Sequence, residues 1–402
     1  MTVVAVDAIP FRLPYHQPLR MAAGDIHAAE HVLIRVRDDS GVCGVAEAPA
    51  RPMFYGESLA SIVHAVREWF APVLVGTDPF AVRALAPSID RIPANNTAKA
   101  SLDLALHDLR ARLLEQPLFR LLGGTRCPLR VTHMLGHGAP EAVADEAVRM
   151  REKYGITAFK IKVGYEPAAD VRLVGAVRAA LGDEALLYVD ANCAYRAEEA
   201  LAAVLPMVAE YGIAWAEEPT RADDRRGRSR VASRAPVPVL ADETVPTLAD
   251  VTRSLEDGTA CWISIKVART GITQSTDIAA VVRAHGGRVL LGSQGDSGLG
   301  TLASLAFASG DPFAAELPGS SSTFPSRGRP WSTGPTCSWH WRRSSRPQRP
   351  PTRRSAHSTA TERTPSRKPA PRSETAACTR SSSPTRSRQR RAALFAGTVP
   401  AR

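Results

Sequence analysis

Between residues 131 and 319 the chain alternates short apolar runs with longer amphipathic stretches, in a unit that recurs roughly every 25 residues. In each amphipathic stretch, apolar residues recur at every third or fourth position and a glycine closes the pattern, which is typical of a helix. The β-rich runs begin at Val131, Phe159, Leu186, Ile213, Pro238, Trp262, Arg288 and Pro312. Eight consecutive βα units predict an α/β fold of the (β/α)8-barrel type, and the count favours it over the alternative, a doubly wound sheet.

Residues 1–130 have a different pattern. The stretch VVAVDAIPFRL and the longer stretch EHVLIRVRDDSGVCGVAEA alternate apolar and polar residues, which predicts strands, with a tight turn at DDSG. Two further stretches, beginning at Ser58 and Ala98, have the spacing of helices. We therefore expect an α+β N-terminal domain over residues 1–130 and a barrel domain over residues 131–319.

The last part of the chain, residues 320–402, lacks these patterns. It holds 18 Lys and Arg but only two acidic residues, Glu362 and Glu374, and the rest is mostly Ser, Pro, Thr and Ala. Such a composition cannot bury enough apolar surface to fold, so we expect a disordered tail rich in Arg, Pro and Ser. We interpret the tail as the out-of-frame translation of a GC-rich gene. The alternatives are a plain disordered extension and an arm that binds nucleic acid or membrane.

The tail also accounts for the net charge of +11. Once its residues are subtracted, residues 1–319 hold 33 basic and 38 acidic side chains, a net charge of −5, so nucleic acid is not the expected partner. The sequence has no apolar stretch long enough for a membrane span, no secretory signal and no paired CxxC spacing among its six cysteines. We expect a cytoplasmic protein with reduced thiols and no membrane partner.

Two lysines lie in a run that a barrel would bury. Lys160 and Lys162 are two positions apart, so both face one side of the strand while Ile161 faces the other. A lysine that points into a barrel costs free energy unless it has a partner or a function. The alternative is a pair of lysines that face solvent on an edge strand.

Acidic residues end the next three runs. The third run ends with Asp190-Ala191-Asn192, the fourth with Glu217-Glu218-Pro219 and the fifth with Asp242-Glu243, and Lys266 follows in the sixth. Because the active site of a barrel lies at the C-terminal ends of its strands, these carboxylates should surround one point, as Mg²⁺ requires. A single acidic residue at a strand end is more often a helix cap, but three in succession, between lysines, favour a metal site.

This arrangement predicts the removal of a proton α to a carboxylate. A substrate carboxylate bound to the metal would stabilise the resulting enediolate. Lysines on opposite sides of the barrel would act on opposite faces of the carbon. A lysine base needs a lowered pKa, and both burial and a neighbouring ammonium, as in the pair Lys160 and Lys162, lower the pKa of a lysine.

Five motifs occur in order along the chain: FKIKVG, YVDAN, WAEEPT, LADET and SIKVARTGIT. Through them, residues 1–319 resemble the enolase superfamily, specifically the muconate cycloisomerase-like subgroup of the mandelate racemase/muconate lactonizing enzyme family. The resemblance implies that the N-terminal domain caps the barrel and that the cofactor is Mg²⁺, with Mn²⁺ as an alternative. It implies three metal ligands and two catalytic lysines, which are Asp190, Glu217, Asp242, Lys162 and Lys266.

The resemblance also implies how a small carboxylate substrate is held. Lys160, Asn192 and Asp296 are the expected substrate-binding residues. Lys160 matches the lysine that contacts the substrate carboxylate and tunes Lys162. Asn192 also matches, together with Glu243, a position behind the metal ligands. Asp296 stands where the family commonly has Glu.

The same comparison leaves the substrate open. Dipeptide epimerases of this subgroup have an Asp-x-Asp on strand eight that binds the substrate amine, whereas this chain has AAELPG, which resembles the cycloisomerases. We expect a muconate cycloisomerase-like isomerase. A racemase or epimerase of an amino-acid derivative and an o-succinylbenzoate synthase-like dehydratase are the alternatives. In a loop of the N-terminal domain, Phe54 and Tyr55 would either cover the substrate or serve packing.

Two segments depart from the family pattern. After Gly319 the sequence no longer resembles the last barrel helix and the final elements of the capping domain, so an inactive truncated homologue stays open. A nucleic-acid-binding protein that acts through its tail is the alternative from another class, and a homo-oligomer is also open. The stretch DDRRGRSRVASR, from Asp223, places arginines where the family has an apolar helix face. We interpret it as a solvated basic helix, with a second frame error as the alternative.

Overall fold

The structure, a computed structural model, describes residues 1–21, 24–125, 129–309 and 314–315. The N-terminal part contains a three-stranded antiparallel sheet in the order β1 Val3–Met21, β2 Gly24–Asp38 and β3 Cys43–Pro49. The predicted DDSG turn joins β2 to β3. There the Asp38 carboxylate accepts hydrogen bonds from the amides of Ser40 and Val42, at 3.2 and 2.9 Å, and Gly41 has the left-handed φ of 86° that the turn needs.

Helices pack against this sheet. Their bounds are α1 Pro52–Tyr55, α2 Leu59–His64, α3 Ala71–Leu74, α4 Val82–Asp90, α5 Asn96–Leu113 and α6 Leu118–Leu121, with a π-helical segment Ala65–Phe70 between α2 and α3. The longest, α5, lies directly on β3. A Cβ atom on Gly44 would come within 2.1 Å of the carbonyl oxygen of Ala105, so only glycine allows this close approach of the two backbones. The predicted α+β capping domain is therefore confirmed as a fold.

Within the described ranges a second sheet contains eight strands, one in each of the eight predicted runs. They are β4 Thr132–Leu135, β5 Ala158–Lys162, β6 Leu186–Asp190, β7 Ala216–Glu217, β8 Val239–Ala241, β9 Trp262–Ile265, β10 Arg288–Leu291 and β11 Ala314–Ala315. All neighbouring strands are parallel, and their order in space is their order in the chain. A doubly wound sheet reverses its strand order at a switch point, so this order confirms the fold of the (β/α)8-barrel type.

Helices alternate with these strands, as the sequence pattern predicts. They are α7 Pro140–Tyr154, α8 Pro167–Leu181, α9 Ala197–Tyr211, α10 Arg225–Arg234, α11 Leu248–Glu256, α12 Val267–Ala284 and α13 Gly298–Ala308. Glycine closes α7 and α9: Gly155 and Gly212 have left-handed φ angles of 66° and 59°.

Strand alternation separates the two faces of the barrel wall. Phe159 and Ile161 of β5 point into the large core shared with the helices. On the other face, a smaller cluster fills the barrel interior with Tyr188, Trp215, Leu240 and Leu290. Lys160 lies opposite Tyr188 in the parallel register, so its side chain is on the interior side. The predicted interior orientation of the lysines therefore follows from the sheet.

The N-terminal domain is fixed to the barrel through α5 and α12. At Gly271, with φ 63°, the helical geometry of α12 is interrupted. The amides of Ile272 and Thr273 that follow donate to the carboxylate of Asp103 on α5, at 2.6 and 3.0 Å. A side chain of one domain thus satisfies backbone donors of the other.

Several predictions concern residues that the structure does not describe. The segment after Gly319, where the sequence departs from the family pattern, lies outside the described residues. So does the tail over residues 320–402, and its interpretation as an out-of-frame translation stays a prediction. The domain boundaries at residues 130 and 319 stay predictions. Among the helices that are described, none combines the length and the apolar character that a membrane span requires.

Candidate active site

The predicted lysines and carboxylates come together at the C-terminal ends of the barrel strands. In the parallel register Lys162 of β5 lies opposite Asp190 of β6, and Asp190 lies opposite Glu217 of β7. Asp242 directly follows β8 and Lys266 directly follows β9. Asp190 and Glu217 are each 1% exposed, so their charges depend on partners within the protein.

Lys160 lies between two of the carboxylates. Its Nζ is 2.9 Å from Asp190 Oδ2 and 2.7 Å from Glu217 Oε2. The same Nζ lies 5.9 Å from the centroid of the Tyr188 ring on the neighbouring strand. One buried ammonium therefore stabilises two buried carboxylates.

Lys162 connects Asp190 with Asn192. Its Nζ donates to Asp190 Oδ2 and to the side-chain oxygen of Asn192, both at 2.6 Å. Asn192 in turn donates from Nδ2 to Glu243 Oε1 at 3.1 Å. Asn192 thus links the end of β6 to the residue after Asp242, and its predicted contact with the substrate stays a prediction.

Asp242 is held by two cations and approached by a tyrosine. Lys266 Nζ is 2.5 Å from Asp242 Oδ2, and Arg269 Nη1 is 3.0 Å from Oδ1. The hydroxyl of Tyr55, from the N-terminal domain, lies 3.3 Å from Lys266 Nζ and 3.2 Å from Arg269 Nη1. Tyr55 therefore reaches the site across the domain contact.

Sequence reasoning missed Arg269, although a signal was present. Arg269 lies three residues after Lys266, in the first turn of α12, and its side chain is 2% exposed. A residue at this spacing on a helix that begins at a strand end returns to the same side as the strand-end lysine. The position of Tyr55, by contrast, depends on how the N-terminal domain sits on the barrel.

These contacts explain the pKa values in the site. Burial alone would raise the pKa of Asp190, but the ammonium groups of Lys160 and Lys162 outweigh burial and lower it. For Asp242 the effect of burial is likewise outweighed, by Lys266 and Arg269, and the pKa falls to about 2. Burial would lower the pKa of Lys266, but the charge of Asp242 raises it. Lys266 is therefore held protonated, which suits a proton donor and is opposite to the shift that a base needs.

Asp296 lies in another group of buried polar residues. In the loop after β10, its Oδ2 accepts a hydrogen bond from Ser293 Oγ at 3.1 Å. Burial, followed by the charge of Glu47 on β3, raises the pKa of Asp296 to about 6. Glu47 itself accepts from the amide of Ser297 at 2.6 Å. These contacts place Asp296 where the N-terminal sheet meets the loop after β10, and its predicted role in substrate binding stays a prediction.

The acidic residues suit a hard divalent cation by type and by burial. Asp190, Glu217 and Asp242 offer oxygen atoms at the ends of three neighbouring strands, and the first two already share one positive charge at Lys160. In the described conformation, however, the carboxylates contact lysine or arginine. Within the described ranges no group of three His, Cys, Asp or Glu side chains is close enough to hold an ion. The residues thus fit Mg²⁺ in kind, while the ligand set stays a prediction.

Two family profiles match the chain. The profile of the mandelate racemase/muconate lactonizing enzyme N-terminal domain matches residues 3–123. The profile described as enolase C-terminal domain-like matches residues 142–331. Together they cover the N-terminal domain and the described strands and helices of the barrel from α7 onward.

Individual proteins agree with these profiles. Muconate cycloisomerase 1 of Rhodococcus opacus is 32% identical over 326 residues, which is 79% of this chain and 87% of the relative. The crystal structure of muconate lactonizing enzyme from Mycobacterium smegmatis complexed with muconolactone is 40% identical with a TM-score of 0.80, covering 83% of this chain and 93% of that chain. A dipeptide epimerase from Enterococcus faecalis V583, complexed with Mg and L-Leu-L-Tyr, is 27% identical with a TM-score of 0.75, covering 79% and 90%.

Proposed function

The chain belongs to the mandelate racemase/muconate lactonizing enzyme family of the enolase superfamily, and on this premise we propose its reaction. It is an isomerase, as its relatives are. We propose that it is a Mg²⁺-dependent, muconate cycloisomerase-like enzyme that delivers or removes a proton α to a carboxylate.

One observation carries this proposal: two lysines lie on opposite sides of one buried set of carboxylates. Lys162 is on β5 and Lys266 follows β9, and β6, β7 and β8 lie between these strands. Each lysine contacts a different acid, Asp190 at 2.6 Å for Lys162 and Asp242 at 2.5 Å for Lys266. A substrate carbon between them would have an amine on each face.

The side chains suggest a division of roles. Lys266, which contacts Asp242 and the hydroxyl of Tyr55, would deliver the proton to the α-carbon. Lys162, oriented by Asp190 and Asn192, would act on the other face, and Lys160 would bind the substrate carboxylate. Tyr55 covers the Lys266 side and would help to exclude water.

The proposed ligands of the metal are the three strand-end acids, Asp190, Glu217 and Asp242. When bound, Mg²⁺ supplies positive charge against the substrate carboxylate and so lowers the cost of charge that develops as the α-proton moves. The dipeptide epimerase from Enterococcus faecalis V583, which has a similar fold, was crystallised in complex with Mg and a dipeptide, and this supports the same ion for this chain.

Proton exchange tests the roles of the lysines. The full chain with Mg²⁺ should exchange the α-proton of muconolactone in deuterated water, measured by NMR. Lys162→Ala and Lys266→Ala should each lower the exchange rate by about 10²–10⁴-fold, because each removes a positioned proton-transfer group. Lys153→Ala, on the exposed surface of α7, is the matched control and should keep the wild-type rate.

Calorimetry with Mg²⁺ completes this test. Both active-site variants should still bind the ion, because neither lysine is a proposed ligand. Exchange at the wild-type rate in both variants would show that the assigned lysines are wrong.

The substrate class needs a separate comparison. Relatives include muconate cycloisomerases and dipeptide epimerases. The sequence AAELPG, in place of Asp-x-Asp, favours the cycloisomerase. Conversion of muconate together with no epimerisation of L-Ala-L-Glu would support this choice, and the reverse result would assign the chain to the epimerases. A cytoplasmic location and a homo-oligomer stay predictions.

A further inference from the structure

Helix α10 contains an arginine that is not solvated. Its five arginines predict a solvated basic helix. Arg225 and Arg230 fit this prediction, because they form ion pairs at the surface, Arg225 with Asp257 and Arg230 with Glu198. Arg228 is different because it is only 5% exposed. An arginine buried to this extent has to be paired, so its partners indicate why it is there.

The start of α10 is built to turn Arg228 inward. Asp224 caps the helix by accepting a hydrogen bond from the amide of Gly227 at 2.8 Å. A Cβ atom on Gly227 would meet the Asp224 side chain at 2.0 Å and Ala197 Cβ at 2.9 Å. Glycine therefore allows α10 to approach α9 closely, and the next residue, Arg228, points toward the ends of the strands.

Arg228 contacts two strand ends at once. Its Nη1 donates to Glu218 Oε2 at 2.8 Å and to the carbonyl oxygen of Thr220 at 3.3 Å. Its Nη2 donates to Thr244 Oγ1 at 2.7 Å. Glu218 follows β7 and Thr244 comes shortly after β8, so the planar guanidinium holds the two loops at a fixed separation.

Glu218 extends this link to the proposed metal ligands. Its Oε1 accepts hydrogen bonds from the amide of Asp242 at 2.6 Å, and from the amide and hydroxyl of Thr244 at 3.1 and 2.6 Å. Its carbonyl oxygen accepts from the amide of Cys193, after β6, at 2.8 Å. Glu218 also directly follows Glu217. Glu218 therefore contacts the ends of all three strands at which Asp190, Glu217 and Asp242 lie.

The backbone of Glu218 supports a specific role. Its φ is 39°, in the left-handed region that a glutamate rarely adopts. Such a conformation persists only where the surroundings enforce it, and here the buried carboxylate accepts five hydrogen bonds, one of them from the Cys193 thiol. A turn that only had to reverse the chain would be satisfied by glycine.

We propose that Arg228 and Glu218 form a positioning pair that fixes the spacing of the carboxylates Asp190, Glu217 and Asp242 and so sets the affinity for the divalent ion. The proposal rests on the proposed function, because it assumes that these carboxylates bind the ion. Neither residue of the pair is a ligand or touches the substrate. Their effect passes through the backbone amide of Asp242 and the peptide that joins Glu217 to Glu218.

Binding of Mn²⁺ by the full chain, followed by electron paramagnetic resonance, tests the pair directly. Arg228→Met should weaken Mn²⁺ binding about 10- to 100-fold, the usual loss when a residue that orients metal ligands is removed. Arg226→Met changes an exposed arginine of the same helix in the same way and should bind like wild type. Arg228→Lys keeps the charge but cannot make both contacts, so its affinity should be intermediate.

A stability measurement separates positioning from folding. Circular dichroism without metal shows whether each variant is folded at the temperature of the binding assay. If Arg228→Met does not fold, Thr244→Val, which removes a single contact of the pair, decides the question through a smaller loss of Mn²⁺ affinity.

The outcomes distinguish this proposal from the proposed function. Wild-type Mn²⁺ affinity in folded Arg228→Met, or in folded Thr244→Val when only that variant folds, overturns the positioning pair and leaves the metal role intact. Absence of Mn²⁺ binding in wild type and in Arg226→Met overturns both. Weakened binding by the Arg228 variants, in the expected order and with the control unchanged, supports the pair.

Discussion

Replacement of Lys160 by Met tests the buried charge arrangement most directly. Lys160 is 4% exposed and contacts Asp190 and Glu217, each 1% exposed. Methionine keeps much of the volume and removes the charge. Removing one partner of a buried ion pair costs about 3–5 kcal/mol, because a charge stays buried without compensation. Asp190 keeps Lys162 at 2.6 Å, so we expect a loss near the lower end of this range, mainly from Glu217.

Urea unfolding of the full chain in EDTA, followed by circular dichroism, measures this loss. Lys153→Met, exposed on α7, is the matched control and should change the free energy of unfolding little. Added Mg²⁺ should then stabilise Lys160→Met more than wild type, because the ion supplies positive charge to the same carboxylates. At a Mg²⁺ concentration of about 100 times Kd, binding alone contributes about 2.7 kcal/mol.

Two results would refute this reasoning. A loss below about 1 kcal/mol in EDTA would mean that Glu217 does not depend on Lys160 for its charge balance. An equal effect of Mg²⁺ on wild type and on Lys160→Met would mean that the lysine and the ion do not stabilise the same carboxylates.

Two further predictions concern the N-terminal domain and its contact with the barrel. Gly44→Ala should lower the free energy of unfolding by about 1–3 kcal/mol in urea, because the new Cβ would overlap α5; Gly298→Ala, where a Cβ meets nothing within 4 Å, should not. The pKa of Asp296 is raised to about 6, so its protonated form contributes stability below about pH 4, and this stability is lost as the pH rises through about 6. As the pH rises from 4 to 8, the free energy of unfolding of Asp296→Asn should therefore fall by about 3 kcal/mol less than that of wild type. If thermal unfolding of wild type and of Asp296→Asn depended on pH in the same way, the raised pKa of Asp296 would be contradicted.

Local patterns in the sequence predicted the barrel wall and its charged rim. The alternation of Lys160, Ile161 and Lys162 assigned two lysines to the interior, and the sheet register confirms that side for Lys160. The positions of Asp190 and Glu217 at the ends of their runs placed them side by side, as the register also has them. Both predictions succeed because they depend only on the two-residue period of a strand and on parallel neighbours.

Other features of the site could not be predicted, because they depend on packing between distant segments. The basic composition of α10 indicated a solvated helix, whereas the capping by Asp224 and the fit at Gly227 bury Arg228. The surroundings of Asp296 also depend on such packing: it accepts a hydrogen bond from Ser293, and burial and the charge of Glu47 on the N-terminal sheet raise its pKa, while its role in substrate binding stays a prediction.

The sequence by itself determined which residues line the barrel and which end its strands, since backbone geometry over a few residues decides both. Only the tertiary structure decided which charges pair. Tyr55 meets Lys266 across 211 positions, and Arg269 meets Asp242 across 27. Such contacts form only when the strands assemble and the N-terminal domain docks on them. No local pattern specifies these distances, because they depend on the packing of the whole fold.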